Sequence, residues 1–320
     1  MLSLNPFSLG RGSAATAVVS TAYGRLRYAI AERRRGEALR VLAWGDEVYS
    51  DATGLQQALR RAGLPGKRQN ILLLAGADYH LVQLDAPNVP ESELARALRW
   101  KVKDLIDFPV EEAVVEAMPV PSAPGTQTRA QTAHVVIASV FRLAEQVGVC
   151  DRARFAVSVI DIPETAQRNL AGLCQPGQTG ALALLHIGSA GGMITISADG
   201  ELYASRRFDL PANAPSGVPT AELCEGVLLE VQRSLDSFER RFSFLSLSGL
   251  HLAAGASSET LATYLLEHLG MQVSVQDLTR MLRFEGCALP NLSQQAELFH
   301  VFGAILRDMP DNVASVVEPH

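Results

Sequence analysis

The sequence predicts an α/β protein with a duplicated fold, in which two lobes surround a cleft and a small α+β subdomain is inserted into the first lobe. Two segments, 16–43 and 182–208, each have the apolar alternation and the turn residues of three consecutive antiparallel strands. Between them, residues 70–162 follow the order strand, helix, strand, strand, helix, strand. At 320 residues and 48% hydrophobic content, the chain is long enough to bury more than one core.

The first lobe is predicted from residues 14–69 and 163–174, after a flexible tail at 1–13. Its strands fall at 16–20, 25–32 and 38–43, because apolar and polar residues alternate there. Leu55 and Leu59 lie one turn apart, and Gly63 follows them, which predicts a short helix at 53–62 with a glycine cap. We expect a C-terminal helix at 294–309 to pack on this lobe.

The inserted subdomain is predicted at 70–162. Its first helix spans 91–107, where four apolar residues share one stripe until Phe108 and Pro109 stop it: Leu94, Leu98, Val102 and Leu105. Strands at 111–120 and 132–140 pair across a loop, a second helix spans 144–155, and a last strand spans 157–162.

The second lobe is predicted at 180–310, followed by a tail at 311–320. It opens with a strand, a glycine-rich bend at 188–192, a second strand, the hairpin turn Asp199-Gly200 and a third strand. Thr220 caps a long amphipathic helix. A short strand at 244–248 then ends where Gly249 opens a loop, and a further helix ends at Gly270.

Composition excludes several classes of function. The net charge of −6 gives no basic face for nucleic acid. The four cysteines lie far apart and form no ligand pair, and no apolar run is long enough for a membrane span. The histidines, among them His134 and His186, are scattered singly and predict no metal site. We therefore expect a cytoplasmic protein.

Five segments carry a resemblance to a known family. They are RWKVKDLIDFPVEEAVVE at 99–116, VSVIDIPETA at 157–166, LHIGSAGGMITISADGELYASRRF at 185–208, LEVQRSLDSFERRF at 229–242 and LSLSGLHLAAGASSETLATYLLEHLGMQVSV at 245–275. In this order they resemble the PilM/MshI family of actin-like proteins of type IV pilus assembly, nearly end to end. The first segment is most similar to the MshI branch, which serves the MSHA (agglutinin) pilus.

The resemblance implies an actin-like fold of the FtsA/PilM type. It also implies a scaffold at the cytoplasmic face of the inner membrane, peripheral to it, which binds the N-terminal tail of a bitopic MshJ- or PilN-like membrane protein. We expect the cleft beside the inserted subdomain to receive this extended tail, by strand addition and apolar pockets.

The resemblance also bears on nucleotide binding. Actin-like ATPases have an acidic residue in each of two phosphate loops, and these carboxylates position magnesium. Here the first loop would fall at 18–24, which has no carboxylate and carries Tyr23, and the second has His186 in that place. The adenosine loop normally has paired glycines, but Gly249 is followed by Leu250.

These losses predict a catalytically silent homologue. Micromolar affinity requires about 8 kcal/mol, and each lost charge-assisted contact removes roughly 2 kcal/mol, so the affinity for Mg-nucleotide falls to about millimolar or weaker. Residual ATP or ADP contacts are predicted at the backbone N–H groups of five residues: Gly188, Ser189, Gly191, Gly192 and Gly249.

Two further functions remain open. One is an ATPase or phosphotransferase of the same superfold, since a fold alone does not set a function. The other is a relative of GspL of type II secretion, whose members continue into a membrane span, whereas this sequence stops at His320.

Overall fold

The computed structural model describes residues 14–33, 37–64, 69–123, 131–174, 179–210 and 219–307. The tails predicted at 1–13 and 311–320, and the last residues of the helix predicted at 294–309, lie outside the described residues. The described residues form sheets of six, five and three strands.

The first lobe is built on the six-stranded sheet. Its strands are β1 (Ala14–Ser20), β2 (Arg25–Arg33), β3 (Arg40–Val48), β4 (Gln69–Leu73), β8 (Val159–Asp161) and β14 (Arg283–Phe284). Their spatial order is β14-β3-β2-β1-β4-β8. β1, β2 and β3 form an antiparallel meander, whereas β4 and β8 continue the sheet in parallel from β1.

The second lobe repeats this plan in the five-stranded sheet. Its strands are β9 (Ala181–Gly188), β10 (Gly191–Ala198), β11 (Glu201–Phe208), β12 (Leu247–Ala253) and β13 (Val273–Gln276). The order β11-β10-β9-β12-β13, with an antiparallel meander followed by two parallel strands, matches β3-β2-β1-β4-β8 of the first lobe. The predicted duplication is confirmed.

Helices cover both faces of the two large sheets. They are α1 (Ala52–Arg61), α2 (Glu91–Leu98), α3 (Val140–Arg152), α4 (Pro163–Cys174), α5 (Ala221–Arg241), α6 (Ser258–Leu269), α7 (Leu278–Met281) and α8 (Leu292–Ala304). α1 and α3 pack on the outer face of the first sheet, and α5 and α6 on that of the second. Among the described helices, none combines the length and the apolar character that crossing a membrane requires.

α4 and α8 pack against each other between the two lobes. Their core joins residues of both large sheets, including Val18 of β1 and Leu184 of β9. The two helices approach closely at Gly303, where an added Cβ would overlap the backbone carbonyl of Ala166. This helix pair therefore fixes how one lobe sits on the other.

The inserted part is smaller than the sequence predicts. Its sheet contains β5 (His80–Ala86), β6 (Ala113–Val120) and β7 (Gln131–Ser139), in the order β5-β7-β6. The strands predicted at the two ends of 70–162 are β4 and β8, which pair in the first-lobe sheet instead. β4 is buried on both faces, as expected of a parallel strand in the middle of a sheet.

One side of the inserted sheet is covered by α2 and by the 3₁₀ helix Arg99–Leu105 that continues it. The sequence predicts a single α-helix at 91–107, but the α-helical part ends at Leu98. The tighter winding that follows still buries Val102 in the same core, so the apolar stripe is kept while the helix type changes.

Candidate functional site

A cleft of about 660 Å³ lies between the lobes, at the tips of the two hairpins predicted as phosphate loops. Tyr23 comes from the β1–β2 turn, and Ser189 and Ala190 come from the β9–β10 turn. The other lining residues are charged: Arg25, Arg27, Asp46 and Glu297. The structure therefore brings the two predicted loops to opposite walls of one cleft.

The first loop turns through two left-handed residues. Tyr23 has φ 56° and Gly24 has φ 68°. For a residue with a side chain, this conformation costs about 1 kcal/mol. The Tyr23 side chain is 75% exposed at the mouth of the cleft, so the loop presents an aromatic ring where small residues are usual.

The cleft contains two carboxylates that the sequence analysis did not identify, and both are ion-paired. Asp46 accepts from Arg25 at 2.9 Å and lies 3.5 Å from Arg27. Glu297 pairs with Arg27 and also accepts a hydrogen bond of 3.1 Å from the Ser189 hydroxyl. The hydrogen bond to Asp46 raises the pKa of the Arg25 guanidinium. Two arginines and two carboxylates thus form one neutral network across the lobes.

This network does not fit a magnesium ion. Mg²⁺ requires near-octahedral oxygen ligands, and in nucleotide sites carboxylates supply or position them. Here a cation would have to displace the guanidinium groups of Arg25 and Arg27 from the two carboxylates. Among the described residues, no group of three His, Cys, Asp or Glu side chains is arranged to hold a metal ion.

His186 takes part in packing and does not face the cleft as a ligand. Its Nε2 lies 2.7 Å from the carbonyl of Ala296, so this nitrogen donates. The ring stacks on Phe299 at 5.1 Å and meets the ring of His300 edge-on at 4.4 Å. Burial lowers the pKa of His186. The residue that replaces the expected carboxylate therefore joins β9 to α8.

The glycines of the second loop are explained by the hairpin itself. Gly188 pairs with Gly191 at its end, and Gly191 has φ 113°. A Cβ on Gly188 would lie 2.6 Å from Cε1 of His186, and one on Gly192 would overlap the ring of Phe208. Gly188, Gly191 and Gly192 lie in the same hairpin as Ser189, which lines the cleft, and contact of these four residues with a nucleotide stays a prediction.

Gly249 does not join this group. The sequence predicts that it opens a loop after a strand at 244–248, but it lies inside β12 and pairs with Leu182 at the start of β9. Gly188 is six residues further along β9, or about 20 Å of strand. Leu250 and Leu252 are buried, so the strand continues through them. The segment beyond β12 on the cleft side contains Gly255, which the sequence analysis did not select.

A second pocket, which we call the junction pocket, has a volume of about 170 Å³ and lies where the inserted sheet, α4 and β11 meet. Its lining residues are Leu81, Val82, Gln83, His134, Glu164, Ser205 and Arg207. Glu164 is buried and pairs with Arg207 at 2.8 Å. The Tyr79 hydroxyl donates to Glu164, and Arg207 contacts Tyr79 in turn, with its guanidinium 4.8 Å from the ring centroid.

His134 is the unusual member of the junction pocket. It is 3% exposed, and its Nε2 has no hydrogen-bond partner. Burial lowers its pKa to about 4, against hydrogen bonds to the backbone of Tyr203 and Leu202 that raise it. The ring is therefore neutral at pH 7. The sequence offered one signal for this residue, a histidine at an otherwise apolar position of a strand, and that signal is weak.

The comparisons with known proteins agree with the fold. No family model and no curated protein matches the chain. The solved PilM-PilN type IV pilus biogenesis complex is similar to it at 18% identity with a TM-score of 0.68, over 94% of this chain and all of that one. The cytoplasmic domain of EpsL, an inner membrane component of the type II secretion system of Vibrio cholerae, is similar at 16% identity and a TM-score of 0.49, over 94% and 98%. The chain has an actin-like α/β fold, as predicted.

Proposed function

We propose that this chain is a non-enzymatic scaffold of a type IV pilus assembly platform of the MSHA kind. In this function it lies in the cytoplasm at the inner membrane and binds the N-terminal cytoplasmic tail of a bitopic PilN-like protein. The observation that carries the proposal is the ion-paired cleft, in which both carboxylates are held by arginines of the chain itself.

The paired cleft argues against metal-dependent phosphoryl transfer. Such transfer depends on Mg²⁺ to neutralise the charge that develops on the phosphoryl oxygens. Asp46 and Glu297 are the carboxylates that line the cleft, and releasing them would break contacts with Arg25 and Arg27. In proteins of this fold that bind a nucleotide, the nucleotide and its metal usually connect the lobes. Here the side chains of Arg27, Glu297 and Ser189 make that connection.

The pilus context rests on the likeness in fold. The PilM-PilN complex pairs a protein of this fold with PilN, and the likeness extends over the whole of the matched chain. The resemblance of the five sequence segments to the PilM/MshI family points the same way. Together they support a PilN-like membrane protein as the partner.

The inserted sheet offers a surface for an extended peptide. Both β5 and β6 are edge strands among the described residues, because β7 lies between them. Exposed edges can accept a further strand. Phe141, 65% exposed at the start of α3, lies where the inserted sheet joins the first lobe and offers an apolar contact.

Calorimetry with synthetic tail peptides tests the scaffold. The peptides are the N-terminal cytoplasmic segments of the bitopic membrane proteins encoded next to this chain, each with a scrambled control of equal composition. We expect one tail to bind with a micromolar or tighter Kd, with no need for nucleotide. Failure of every tail to bind, with or without Mg-ATP, would overturn the proposal.

The enzyme alternative is tested by calorimetry with Mg-ATP and by a phosphate-release assay. We expect Mg-ATP to bind with a Kd of about millimolar or weaker and to release no phosphate above background. A low-micromolar Kd with phosphate release would favour the ATPase instead. Glu297→Gln is the control for contamination, since turnover by this cleft must change when one of its two carboxylates is neutralised.

A further inference from the structure

We propose that the inserted subdomain, residues 80–139, is a hinged body and that Arg207, on β11 of the second lobe, sets its angle to the two lobes. The hinge is the pair of chain crossings that join the inserted sheet to the first lobe. The inference goes beyond the proposed function and does not depend on it, because it concerns the free chain and needs no partner.

The two chain crossings lie at the same end of the inserted sheet. β5 begins at His80, which pairs with Ile137, and β7 ends two residues later at Ser139. The chain enters the subdomain through residues 74–79 and leaves it directly into α3 at Val140. A body that is attached at one end, through two short crossings, can turn about that end.

The inserted subdomain has a core of its own. α2 and the 3₁₀ helix that follows it bury Leu94, Leu98 and Val102 against one face of its sheet. All described residues of this core belong to the inserted subdomain, so neither lobe contributes to it. The other face meets the first lobe next to the hinge, at residues that include Leu81 and Ala138. The subdomain can therefore keep its internal packing while its angle to the lobes changes.

Away from the hinge, polar groups make much of the contact between the inserted subdomain and the second lobe. Arg241, at the end of α5, donates to the side chain of Gln83 at 2.6 Å, and the ring of His134 hydrogen-bonds to the backbone of β11. Val120 adds an apolar contact, because it is buried in the second-lobe core. Polar contacts exchange for contacts with water at a small net cost, so this interface can part more readily than an apolar core.

Arg207 holds the entering crossing from the side of the second lobe. Its guanidinium contacts the Tyr79 hydroxyl and lies 4.8 Å from the centroid of the Tyr79 ring. The same group pairs at 2.8 Å with Glu164, which is buried in α4. Gly76 makes room for it, since an added Cβ there would overlap Nη1 of Arg207. One side chain therefore joins the second lobe, α4 and the hinge.

This arrangement makes the angle of the inserted subdomain depend on the second lobe. α4 packs with α8 in the core between the lobes, whereas Arg207 belongs to β11. A rotation of the second lobe against α4 therefore moves the guanidinium that holds Tyr79. Movement of the lobes is transmitted to the inserted subdomain, and loss of Arg207 releases it.

Distances between pairs of spin labels, measured by pulsed electron paramagnetic resonance, report the angle directly. One pair joins the inserted subdomain to the second lobe, at Arg96→Cys on α2 and Glu259→Cys on α6, which are exposed positions. A control pair joins the two lobes, at the exposed Arg60→Cys on α1 and Glu259→Cys. The half-buried Cys174 and Cys287 are replaced by serine in every chain, so that the introduced thiols carry the labels.

Two variants disturb the same guanidinium in different ways. Arg207→Gln removes its charge, and Gly76→Ala pushes it away from the crossing while Glu164 stays in place. We expect each to broaden the distance distribution of the first pair about twofold or more, with the control pair unchanged. The two changes combined should broaden it no further than Arg207→Gln alone. Gly172→Ala on α4, where a Cβ meets nothing within 4 Å, should change neither pair.

Three outcomes would overturn the inference. A first-pair distribution as narrow as that of the parent, even when Arg207→Gln is combined with Arg241→Gln, would show that the subdomain is fixed without Arg207. Equal broadening of both pairs would show that the lobes loosen and that no separate hinge exists. Faster amide hydrogen exchange in β7, the central strand of the inserted sheet, would show unfolding instead of rotation. No tail peptide is used, so the result does not depend on whether the scaffold proposal holds.

Discussion

The interlobe cleft and the junction pocket are both lined by charged and polar side chains, but they differ in how far the chain satisfies them. In the cleft, the two carboxylates are paired with arginines and Ser189 donates to Glu297. In the junction pocket, Glu164 is paired, whereas Nε2 of His134 has no partner.

The difference predicts how each site contributes to stability. A polar network that is complete within the chain stabilises the folded state. A buried polar atom without a partner lowers stability, and a bound group can restore that loss. We therefore expect the cleft network to stabilise the folded chain, and the unpartnered Nε2 of His134 to lower its stability.

The largest expected effect comes from breaking the paired part of the junction pocket. Glu164→Ala leaves the Arg207 guanidinium and the Tyr79 hydroxyl beside a buried gap, and we expect the free energy of unfolding to fall by about 3 kcal/mol or more. Denaturant unfolding measures it. The control is Glu93→Ala, which removes an exposed pair with Arg96 and should cost about 0.5 kcal/mol or less. Equal losses of unfolding free energy in the two variants would show that Glu164 is solvated in the junction pocket.

The next effect is a pH dependence to which His134 contributes. Its pKa is about 4 in the folded chain, below the ordinary 6.5, so the unfolded chain binds the proton first as the pH falls. Above pH 6.5 the ring is neutral in both the folded and the unfolded chain, and the free energy of unfolding keeps its full value. Between pH 6.5 and 4 this free energy falls by about 1.4 kcal/mol per pH unit, and by about 3 kcal/mol in total.

We expect His134→Phe to reduce the fall in unfolding free energy between pH 6.5 and 4.5 by about 2 kcal/mol. His186 and His300 are also buried with lowered pKa values, so a smaller slope of the same sign remains. A variant with the full parent slope would mean that water reaches the ring of His134.

A smaller effect is expected at the helix pair that supports both sites. Gly303→Ala forces α8 away from the backbone of Ala166, and we expect it to lower the free energy of unfolding by about 2 kcal/mol. Gly226→Ala is the matched control, because a Cβ there meets nothing within 4 Å in the middle of α5. It should raise stability by about 0.5 kcal/mol. If both variants are equally stable, the packing of α4 on α8 is looser than the contact implies.

The smallest effect concerns the cleft itself. Glu297→Gln weakens the link between Arg27 and Ser189, and we expect a loss of about 1 kcal/mol, with faster amide hydrogen exchange in the β9–β10 hairpin. Glu259→Gln, on an exposed turn of α6, should change neither quantity. If amide hydrogen exchange in the β9–β10 hairpin is the same in Glu297→Gln as in the parent chain, the cleft network does not hold the lobes together.

The locally encoded parts of the fold could be predicted from the sequence. The second meander forms at the predicted strands, and Asp199-Gly200 turns through two positive φ angles of 51° and 77° as a tight hairpin requires. Thr220 caps α5 by accepting from the backbone N–H of Leu223 at 3.2 Å, and Gly270 ends α6 in the left-handed conformation. Each of these depends on residues within one turn of each other.

The parts that depend on distant pairing could not be predicted. The apolar run of β4 shows that it is buried but not which sheet buries it, and the sequence analysis assigned it to the insertion. Glu297 reaches the cleft from a helix 108 residues beyond Ser189. The partnerless nitrogen of His134 depends on β11 closing over β7, which no local pattern encodes.

The first lobe depends on the far end of the chain for its completion. β14 adds to β3 at the edge of the first sheet, Arg40 pairs with Glu285 at 3.0 Å, and α8 fills the core beneath β1. A nascent polypeptide emerging from the ribosome therefore cannot complete the cover of this sheet until almost 300 residues have been synthesised. Part of its apolar inner face stays open during that time, so we expect the N-terminal half to be prone to aggregation until translation is nearly finished.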